Sequence, residues 1–280
     1  MDIDATTKLV LLLGHPVQQS LSPLMLNQAF EEFGLPVAYL AADVTPPSLP
    51  AAIAGMRALG LIGANITVPH KTAVLPLLDE LDEEAARIGA VNVIVNIEGR
   101  LRGHNTDAPG FLAALEGVWS GDLRESTVLL FGAGGAARAV TAGLARRSVK
   151  ELLIWNRTKN KAADLARDAL AWGISRCCVI DSVESQIASA VDVVVHATSA
   201  GWGKGVKKAP LNVDVFGSET FLMDLQYGRS TVVEAALARG MRAVDGLEML
   251  VRQAALAFEL WTGLPGPEHT MRSAAAVAYR

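Results

Sequence analysis

The second half of the chain carries the pattern that most restricts the fold: a strand, a glycine-rich turn and a helix in direct succession. Residues 127–147 read TVLLFGAGGAARAVTAGLARR. Further strand-like segments follow as ELLIWNRT, RCCVI, VDVVVHAT and TFLMDL, and helix-like stretches separate them. Repeated βαβ units require a mostly parallel sheet that helices cover on both faces. We therefore expect an α/β fold in this half.

The glycine turn at 132–137, GAGGAA, has the GxGxxA form of a dinucleotide-binding fingerprint. Gly132 permits the tight turn, Gly134 lets the backbone approach a pyrophosphate, and Ala137 allows close packing of the helix. The helix N-terminus adds N–H groups and a positive end. A tight turn in any α/β protein is the alternative, but the strand before the motif and the helix after it favour a dinucleotide.

The end of the next strand indicates which dinucleotide. Sheets that bind NAD usually place Asp or Glu there, on the ribose 2′-hydroxyl. This chain has Asn156, Arg157 and Thr158, and Lys159 and Lys161 follow. An arginine suits a 2′-phosphate because its donors form a planar fork. A solvated loop is the alternative; we expect NADP rather than NAD.

The first half is predicted to be a second α/β domain. KLVLLLG predicts a strand, and SPLMLNQAFEEFGL predicts a helix with Ser22 as its N-cap. LLDELDEEAARIG predicts an acidic amphipathic helix, and residues 90–107 predict a hairpin that turns near Glu98-Gly99. The helix predicted at 246–263 is too apolar to stand alone, so we expect it to pack back on this domain. The predicted domains are 1–107 plus 246–280, for the substrate, and 108–245, a Rossmann-type domain for NADP.

Composition limits the partners. The 280 residues carry a net charge of −4 and no long run of Lys or Arg, which argues against nucleic acid. Cys177 and Cys178 are adjacent and rarely pair with each other, so we expect a reducing, cytoplasmic setting. No metal-ligand spacing is visible, and the apolar run near the start is too short for a membrane helix. A small-molecule substrate remains.

Polar side chains cluster where the strands of the first half are predicted to end. The segments are GHPVQQSLSP at 14–23, GANITVPHK at 63–71, GAVN at 89–92 and GHNTD at 103–107. Ligands of open α/β sheets lie beyond the carboxyl ends of the strands. Hydroxyls there could bind a carboxylate, while amides and an aspartate could bind hydroxyls, so we expect a small polyhydroxylated acid. The residues are Ser20, Ser22, Asn65, Thr67, Asn92, Asn105, Thr106 and Asp107.

With these segments in order, the chain resembles the shikimate dehydrogenase family over nearly its whole length. All of the family's motifs occur here, in the same order as in the family: SxSP, NxTxPxK, GAxN, NTD, GxGGxx, NRT and GLxMLxxQ. The resemblance implies NADPH-dependent, reversible reduction of 3-dehydroshikimate to shikimate in aromatic biosynthesis. Both monomers and dimers occur in the family, so a homodimer is one expectation.

The resemblance also implies roles for individual residues. Lys71 and Asp107 would form the catalytic pair, in which the ammonium stabilises and protonates the developing alkoxide. The implied substrate-binding residues are Ser20, Ser22, Asn65, Thr67, Asn92, Tyr227 and Gln253. The implied cofactor-binding residues are Glu83, Gly132, Ala133, Gly134, Gly135, Ala136, Asn156, Arg157, Thr158, Lys161, Thr198 and Gly246. His70 and His104 flank key residues but are not expected to be catalytic.

Three positions and one segment depart from the family pattern. Leu26 precedes Asn27 where the family often has His, His196 replaces the Asn of NATS, and Ala108 replaces the glycine after NTD. The segment after Tyr227 is also shorter. These departures leave open a dehydrogenase for quinate or an amino analogue of shikimate. An alternative of a different class is a non-catalytic NADP-sensing protein. Retention of both Lys71 and Asp107 argues against the sensor.

Overall fold

The computed structural model describes residues 3–198, 211–228 and 230–278. They form two compact units: the first comprises the residues up to Gly110 and those from Leu250 onward, and the second spans Phe111–Met249. The predicted boundaries lie three or four residues before these divisions. Helices α4 (Asp107–Val118) and α9 (Leu247–Thr262) run through the two division points, so each division falls inside a helix.

The first unit is built on a six-stranded sheet. Its strands are β1 (Lys8–Gly14), β2 (Val37–Asp43), β3 (Gly63–Ile66), β4 (Glu80–Leu81), β5 (Val93–Ile97) and β6 (Arg100–His104). Its helices, besides the relevant parts of α4 and α9, are α1 (Ser22–Glu32), α2 (Leu49–Ala58), α3 (Glu83–Ile88) and α10 (Glu268–Ala278). The strand order is β2-β1-β3-β5-β6-β4, in which β5 alone is antiparallel to its neighbours.

The reversal of β5 decides what meets at one edge of this sheet. Leu13 pairs with Ile66, Asn65 with Val93, and Val93 with His104. The last residues of β1, β3 and β6 therefore lie beside the first residues of β5. Loops after three strands and the loop before a fourth all open at this carboxyl edge.

The packing of α9 on the first unit is confirmed. The rings of Phe30 and Phe258 lie 5.2 Å apart. The indole N–H of Trp261 donates to the carbonyl of Ile94 at 3.0 Å. A Cβ on Gly63 would lie 2.2 Å from that indole nitrogen, so glycine is needed where the helix meets the sheet. Helix α10, which the sequence did not predict, packs on α1.

The second unit has a parallel six-stranded sheet. Its strands are β7 (Thr127–Phe131), β8 (Glu151–Trp155), β9 (Cys177–Val179), β10 (Val193–His196), β11 (Phe221–Asp224) and β12 (Arg242–Val244). Its helices include α5 (Gly135–Arg146), α6 (Lys159–Ala171), α7 (Ser185–Ala188) and α8 (Thr231–Ala238). The order β12-β11-β10-β7-β8-β9 becomes 3-2-1-4-5-6 when counted from β7 and read from β9. That is the Rossmann order, with its switch point between β7 and β10. The predicted fold class is confirmed.

Two local predictions were wrong. Ser22 does not cap α1: Leu21 already has helical angles, and the Ser22 N–H donates to the Ser20 hydroxyl at 3.2 Å. The acidic helix begins only at Glu83, where the Asp82 carboxylate accepts from the Ala85 N–H. The leucines before it lie in and beside a 3₁₀ turn and in β4, where they pack, partly buried, against the core of the first unit.

None of the helices in the described ranges is long and apolar enough to cross a membrane.

Candidate active site

Lys71 and Asp107 form an ion pair at the carboxyl edge of the first sheet. The Lys71 Nζ lies 2.5 Å from the Asp107 Oδ2, and the two side chains are 14% and 5% exposed. The turn that carries Lys71 is fixed by two backbone bonds, from the His70 N–H to the Thr67 carbonyl and from the Val91 N–H to the Lys71 carbonyl. An ammonium has three donors, so Lys71 keeps hydrogens for a ligand oxygen while Asp107 orients it.

Asp107 is the first residue of α4, yet its carboxylate does not cap that helix. The Asn105 Oδ1 does so instead, by accepting from the N–H groups of Asp107 and Ala108 at 3.1 and 3.3 Å. Asp107 is therefore not a plain helix cap. Capping by Asn105 leaves both carboxylate oxygens of Asp107 for side chains.

Asn92 connects the pair to three other segments. Its Nδ2 lies 3.0 Å from the Asp107 Oδ1, 2.9 Å from the Thr106 hydroxyl and 3.2 Å from the Gln253 Oε1. Its Oδ1 accepts from the Thr106 N–H at 2.8 Å. The Thr106 hydroxyl in turn donates to the Gln253 carbonyl. The predicted residues Lys71, Asn92, Asp107 and Gln253 are thus brought together, and Thr106 joins them.

Asn65 lies beneath this cluster and is held by a residue that sequence reasoning missed. The Tyr39 hydroxyl donates to the Asn65 Oδ1 at 2.7 Å, and the Asn65 Nδ2 donates to the Asn92 carbonyl at 3.0 Å. Tyr39 is fully buried in β2. A buried tyrosine must find a partner for its hydroxyl, which is the signal that pointed to such a bond without naming the partner.

Ser20, Ser22 and Thr67 offer hydroxyls at the same edge. The Ser20 oxygen already accepts from the Ser22 N–H, so its proton is available to a ligand. Within the described residues the hydroxyls of Ser22 and Thr67 make no hydrogen bond, although Ser22 is only 6% exposed. A Cβ on Gly14 would lie 2.2 Å from the Thr67 methyl, so the end of β1 lies directly beside Thr67. Donors without partners at this edge suit a carboxylate or hydroxyls.

Two further carboxylates at this edge are tied to histidines. His15 Nδ1 lies 2.5 Å from Asp43 Oδ1, and His104 Nδ1 lies 2.7 Å from Asp82 Oδ2. The hydrogen bond from His15 lowers the pKa of Asp43. Burial alone would raise the pKa of Asp82, but the bonds from His104 and a backbone N–H outweigh it and lower that pKa too. Both acids are therefore ionised at neutral pH and are not proton donors.

His70 is 1% exposed, and its Nε2 lies 2.6 Å from the Val44 carbonyl. This is an ordinary structural bond between the turn that carries Lys71 and the loop after β2. Neither His70 nor His104 needs a catalytic role to account for its contacts.

In the second unit, the glycine turn has the geometry of a dinucleotide cradle. Gly132 has φ +122°, and a Cβ there would lie 2.8 Å from the Ala197 carbonyl, so no other residue fits without strain. Gly134 precedes α5, and a Cβ there would enter open space. Ala133, Gly135 and Ala136 complete the turn and the first residues of the helix. Open space over an N–H-rich helix start fits a pyrophosphate.

The loop after β8 fits a phosphate as well. Arg157 is exposed and makes no ion pair among the described residues, whereas Lys159 pairs with Asp181 at 2.7 Å. The Asn156 Nδ2 donates to the Thr158 carbonyl, and this bond closes the loop. Thr158 then precedes α6, whose N-terminus favours an anion, and the exposed Lys161 lies in its first turn. The residues present therefore fit NADP.

The other predicted residues lie in both units. Gly246 follows β12, and a Cβ there would lie 2.1 Å from the Leu225 carbonyl, so glycine is required. Tyr227 is partly buried after β11, in a segment described except for Arg229. The Thr198 hydroxyl lies 2.7 Å from the His196 Nε2. Glu83 is exposed at the start of α3 in the first unit, so its assignment to the cofactor stays a prediction from the resemblance.

The second unit is of the Rossmann type and has a dinucleotide cradle. The first unit carries a lysine–aspartate pair among hydroxyls and amides. Together these features define a nicotinamide-dependent oxidoreductase of the two-domain α/β class. Three family models match the chain in succession. They are the shikimate dehydrogenase substrate-binding domain at residues 12–94, shikimate/quinate 5-dehydrogenase at 115–227, and the shikimate 5′-dehydrogenase C-terminal domain at 246–276.

Individual proteins agree with these models. A shikimate dehydrogenase (NADP⁺) from Moorella thermoacetica is 45% identical over 97% of this chain and 93% of its own length. The Thermus thermophilus shikimate 5-dehydrogenase, solved with NADP(H) and shikimate, is 38% identical, has a TM-score of 0.83, and the match covers 97% of this chain and 100% of that one. Quinate dehydrogenase from Corynebacterium glutamicum, solved with NAD, is 32% identical and has a TM-score of 0.83. The match covers 97% of this chain and 99% of that one. The chain belongs to the shikimate dehydrogenase family.

Proposed function

We propose that this chain catalyses the reversible, NADP-dependent reduction of 3-dehydroshikimate to shikimate. The Lys71–Asp107 pair, held at 2.5 Å among the amides of Asn92 and Gln253, carries this proposal. The pair supplies a cation and a proton where a ketone oxygen becomes an alkoxide. A protein that only sensed NADP would have no use for a nearly buried ammonium held in this way.

The first unit binds and orients the acid. Ser20 and Ser22 donate hydroxyl protons to its carboxylate, because the Ser20 oxygen is already an acceptor and the Ser22 hydroxyl has no partner within the described chain. Thr67 and Asn92 bind ring hydroxyls. Asn65 supports Asn92 from below. Gln253 contributes an amide from α9, while the part of Tyr227 in this site stays a prediction from the resemblance.

The second unit binds the cofactor. Gly132, Ala133, Gly134, Gly135 and Ala136 present backbone N–H groups to the pyrophosphate. Bound NADPH supplies the hydride for the ketone carbon. Arg157 would hold the 2′-phosphate, with Asn156, Thr158 and Lys161 as its further binding residues.

Lys71 acts on the oxygen of the ketone. Its ammonium donates a hydrogen bond to that oxygen, stabilises the negative charge that develops there, and delivers the proton. Asp107 accepts a hydrogen bond from the ammonium throughout, so the nitrogen cannot swing away. In the oxidation direction the neutral amine takes the hydroxyl proton.

Quinate is the second candidate substrate, because the chain is about as similar in fold to a quinate dehydrogenase as to a shikimate dehydrogenase. Arg157 favours NADP over the NAD of that neighbour. A cytoplasmic location and a homodimer stay predictions from the sequence.

The test is oxidation of shikimate and of quinate with NADP⁺ and with NAD⁺, followed at the nicotinamide absorbance. We expect shikimate with NADP⁺ to give the highest kcat/KM. Lys71→Ala should lower kcat by about 10²-fold or more with little change in NADP⁺ affinity, while Lys150→Ala, an exposed lysine of the second unit, should match the wild type. The proposal would be refuted if neither shikimate nor quinate were oxidised, or if Lys71→Ala kept full activity.

A further inference from the structure

His196, the residue that departs from the family's NATS motif, belongs to a buried polar chain in the second unit. Its side chain is 0% exposed, and that of Asp224 is 1% exposed. The His196 Nδ1 lies 2.9 Å from the Asp224 Oδ1, and the Nε2 lies 2.7 Å from the Thr198 hydroxyl. The imidazole thus bridges the end of β11 and the loop after β10.

Asp224 is anchored from its other side. The Ser230 hydroxyl, which caps α8, donates to the Asp224 Oδ2 at 2.6 Å. The Gln226 N–H donates to the Asp224 Oδ1 at 3.0 Å, and the Gln226 Nε2 donates to the Thr198 carbonyl at 2.9 Å. A carboxylate surrounded by donors is a fixed acceptor, so Asp224 holds the ring of His196 in one orientation.

This arrangement determines the polarity of the Thr198 hydroxyl. The Asp224 Oδ1 also accepts from the Gln226 N–H, so it faces the ring as an acceptor and the His196 Nδ1 carries the proton that points at it. In the neutral imidazole the Nε2 is then an acceptor, and the Thr198 hydroxyl donates to it. Toward a ligand, Thr198 consequently presents its oxygen rather than its proton, which suits a hydroxyl or amide donor of the cofactor and not its pyrophosphate.

The loop held in this way forms one wall of the glycine turn. The Ala197 N–H donates to the Phe131 carbonyl at 2.8 Å. A Cβ on Gly132 would lie 2.8 Å from the Ala197 carbonyl and 3.4 Å from the Thr198 methyl. A displacement of residues 197 and 198 would therefore reach the cradle directly, at the switch point of the sheet.

We propose that His196 is a positioning residue for the cofactor: it acts through Thr198, whose hydroxyl it fixes as an acceptor beside the glycine turn. The inference rests on the proposed function, since it takes the cradle to bind NADP. Asparagine, the usual residue of the family at this position, is shorter and has no atom at the position of the Nε2, which makes the contact with Thr198. Histidine therefore adds a link that the usual motif lacks.

Two substitutions of His196 test its two contacts, with Asp224 and with Thr198, one at a time. His196→Asn keeps a donor near the Nδ1 position and loses the contact with Thr198. His196→Gln keeps an acceptor near the Nε2 position and loses the contact with Asp224. NADP⁺ affinity of the full chain without substrate, measured by isothermal titration calorimetry, gives a readout that does not depend on turnover. Thr198→Val, alone and combined with His196→Asn, completes a double-mutant cycle.

We expect His196→Asn to raise the Kd for NADP⁺ by about 3- to 10-fold, the value of one hydrogen bond, and His196→Gln to raise it less. In the Thr198→Val background, His196→Asn should have no further effect. The KM for NADP⁺ should follow the Kd, with kcat unchanged at saturation. His70→Asn, at an equally buried histidine of the first unit, serves as the control and should bind NADP⁺ like the wild type.

Three outcomes would each overturn the inference. They are an unchanged NADP⁺ affinity in His196→Asn, a larger loss of affinity in His196→Gln than in His196→Asn, and additive effects of the two substitutions in the double-mutant cycle. Thermal unfolding identifies the first case, in which stability falls and affinity does not, as a purely structural role. A wild-type protein that does not bind NADP⁺ would instead reject the proposed function itself. The two failures are thus distinguishable.

Discussion

Replacement of Asp107 by Asn tests the catalytic pair with almost no change of shape. The carboxylate accepts from Lys71 at one oxygen and from the Asn92 Nδ2 at the other. An amide has only one oxygen, so its NH₂ must face one of these two donors. Asn92 cannot rotate to relieve the conflict, because its own Oδ1 accepts from the Thr106 N–H. One contact is lost whichever way the new amide points.

The size of the effect follows from this loss. A buried donor left without a partner costs about 1–3 kcal/mol. We expect the lower half of that range, because Lys71 is partly exposed and water can reach it. The melting temperature should fall by a few degrees. Turnover should fall further, by roughly 10²-fold or more, because a neutral amide holds the Lys71 ammonium at the ketone oxygen less firmly than a carboxylate in either orientation.

Steady-state shikimate oxidation with NADP⁺ titration and a thermal melt of the ligand-free protein measure both effects. Asp79→Asn is the matched control: Asp79 also pairs with a cation in the first unit, Arg57, but on the surface. The control should keep wild-type kcat. If Asp107→Asn retained wild-type kcat, Asp107 would have no part in positioning Lys71. If it lost activity only in proportion to folded protein, the pair would be structural.

Three further predictions concern other parts of the chain. Arg157→Gln should raise the KM for NADP⁺ by roughly 10- to 100-fold, the value of charge-assisted bonds to a phosphate, and leave that for NAD⁺ nearly unchanged; equal effects would mean that the 2′-phosphate is bound elsewhere. Burial, and the neighbouring Cys178, raise the pKa of Cys177 to about 12, so iodoacetamide should modify Cys177 only after unfolding, as mass spectrometry of native and denatured samples would show. The lowered pKa of Asp82 stabilises the fold above the usual carboxyl pKa, and this contribution is lost as the pH falls through the pKa that Asp82 has in the folded protein. Asp82→Ala should therefore cost about 1 kcal/mol of stability at neutral pH and make stability depend less on pH below about pH 4. An unchanged pH dependence of stability in acid would contradict this role of Asp82.

Structural features that are determined by residues close together in the chain could be predicted from the sequence. The glycine turn, the hairpin at Glu98-Gly99 and the stop of the long helix before Gly263 all involve residues with positive φ at the positions where the chain must turn. The Rossmann order also followed, because repeated βαβ units allow few arrangements of a parallel sheet. Helix α10 and the short strands β4 and β12 were missed, since they are held by their packing rather than by local pattern.

Contacts between distant residues could not be predicted in this way, and the candidate site consists mainly of such contacts. Nothing in the sequence places the Tyr39 hydroxyl on Asn65, or the Asn92 amide on both Asp107 and Gln253, which lies 161 positions further along the chain. The bonds of Asn92 exist because the reversed β5 brings this residue to an edge where three other strands end. A change that shifted the register of β5 by one residue would turn the side chains of that strand to the other face and move Asn92 away from Asp107. The catalytic pair therefore depends on the pairing of β5 as much as on the two charged residues.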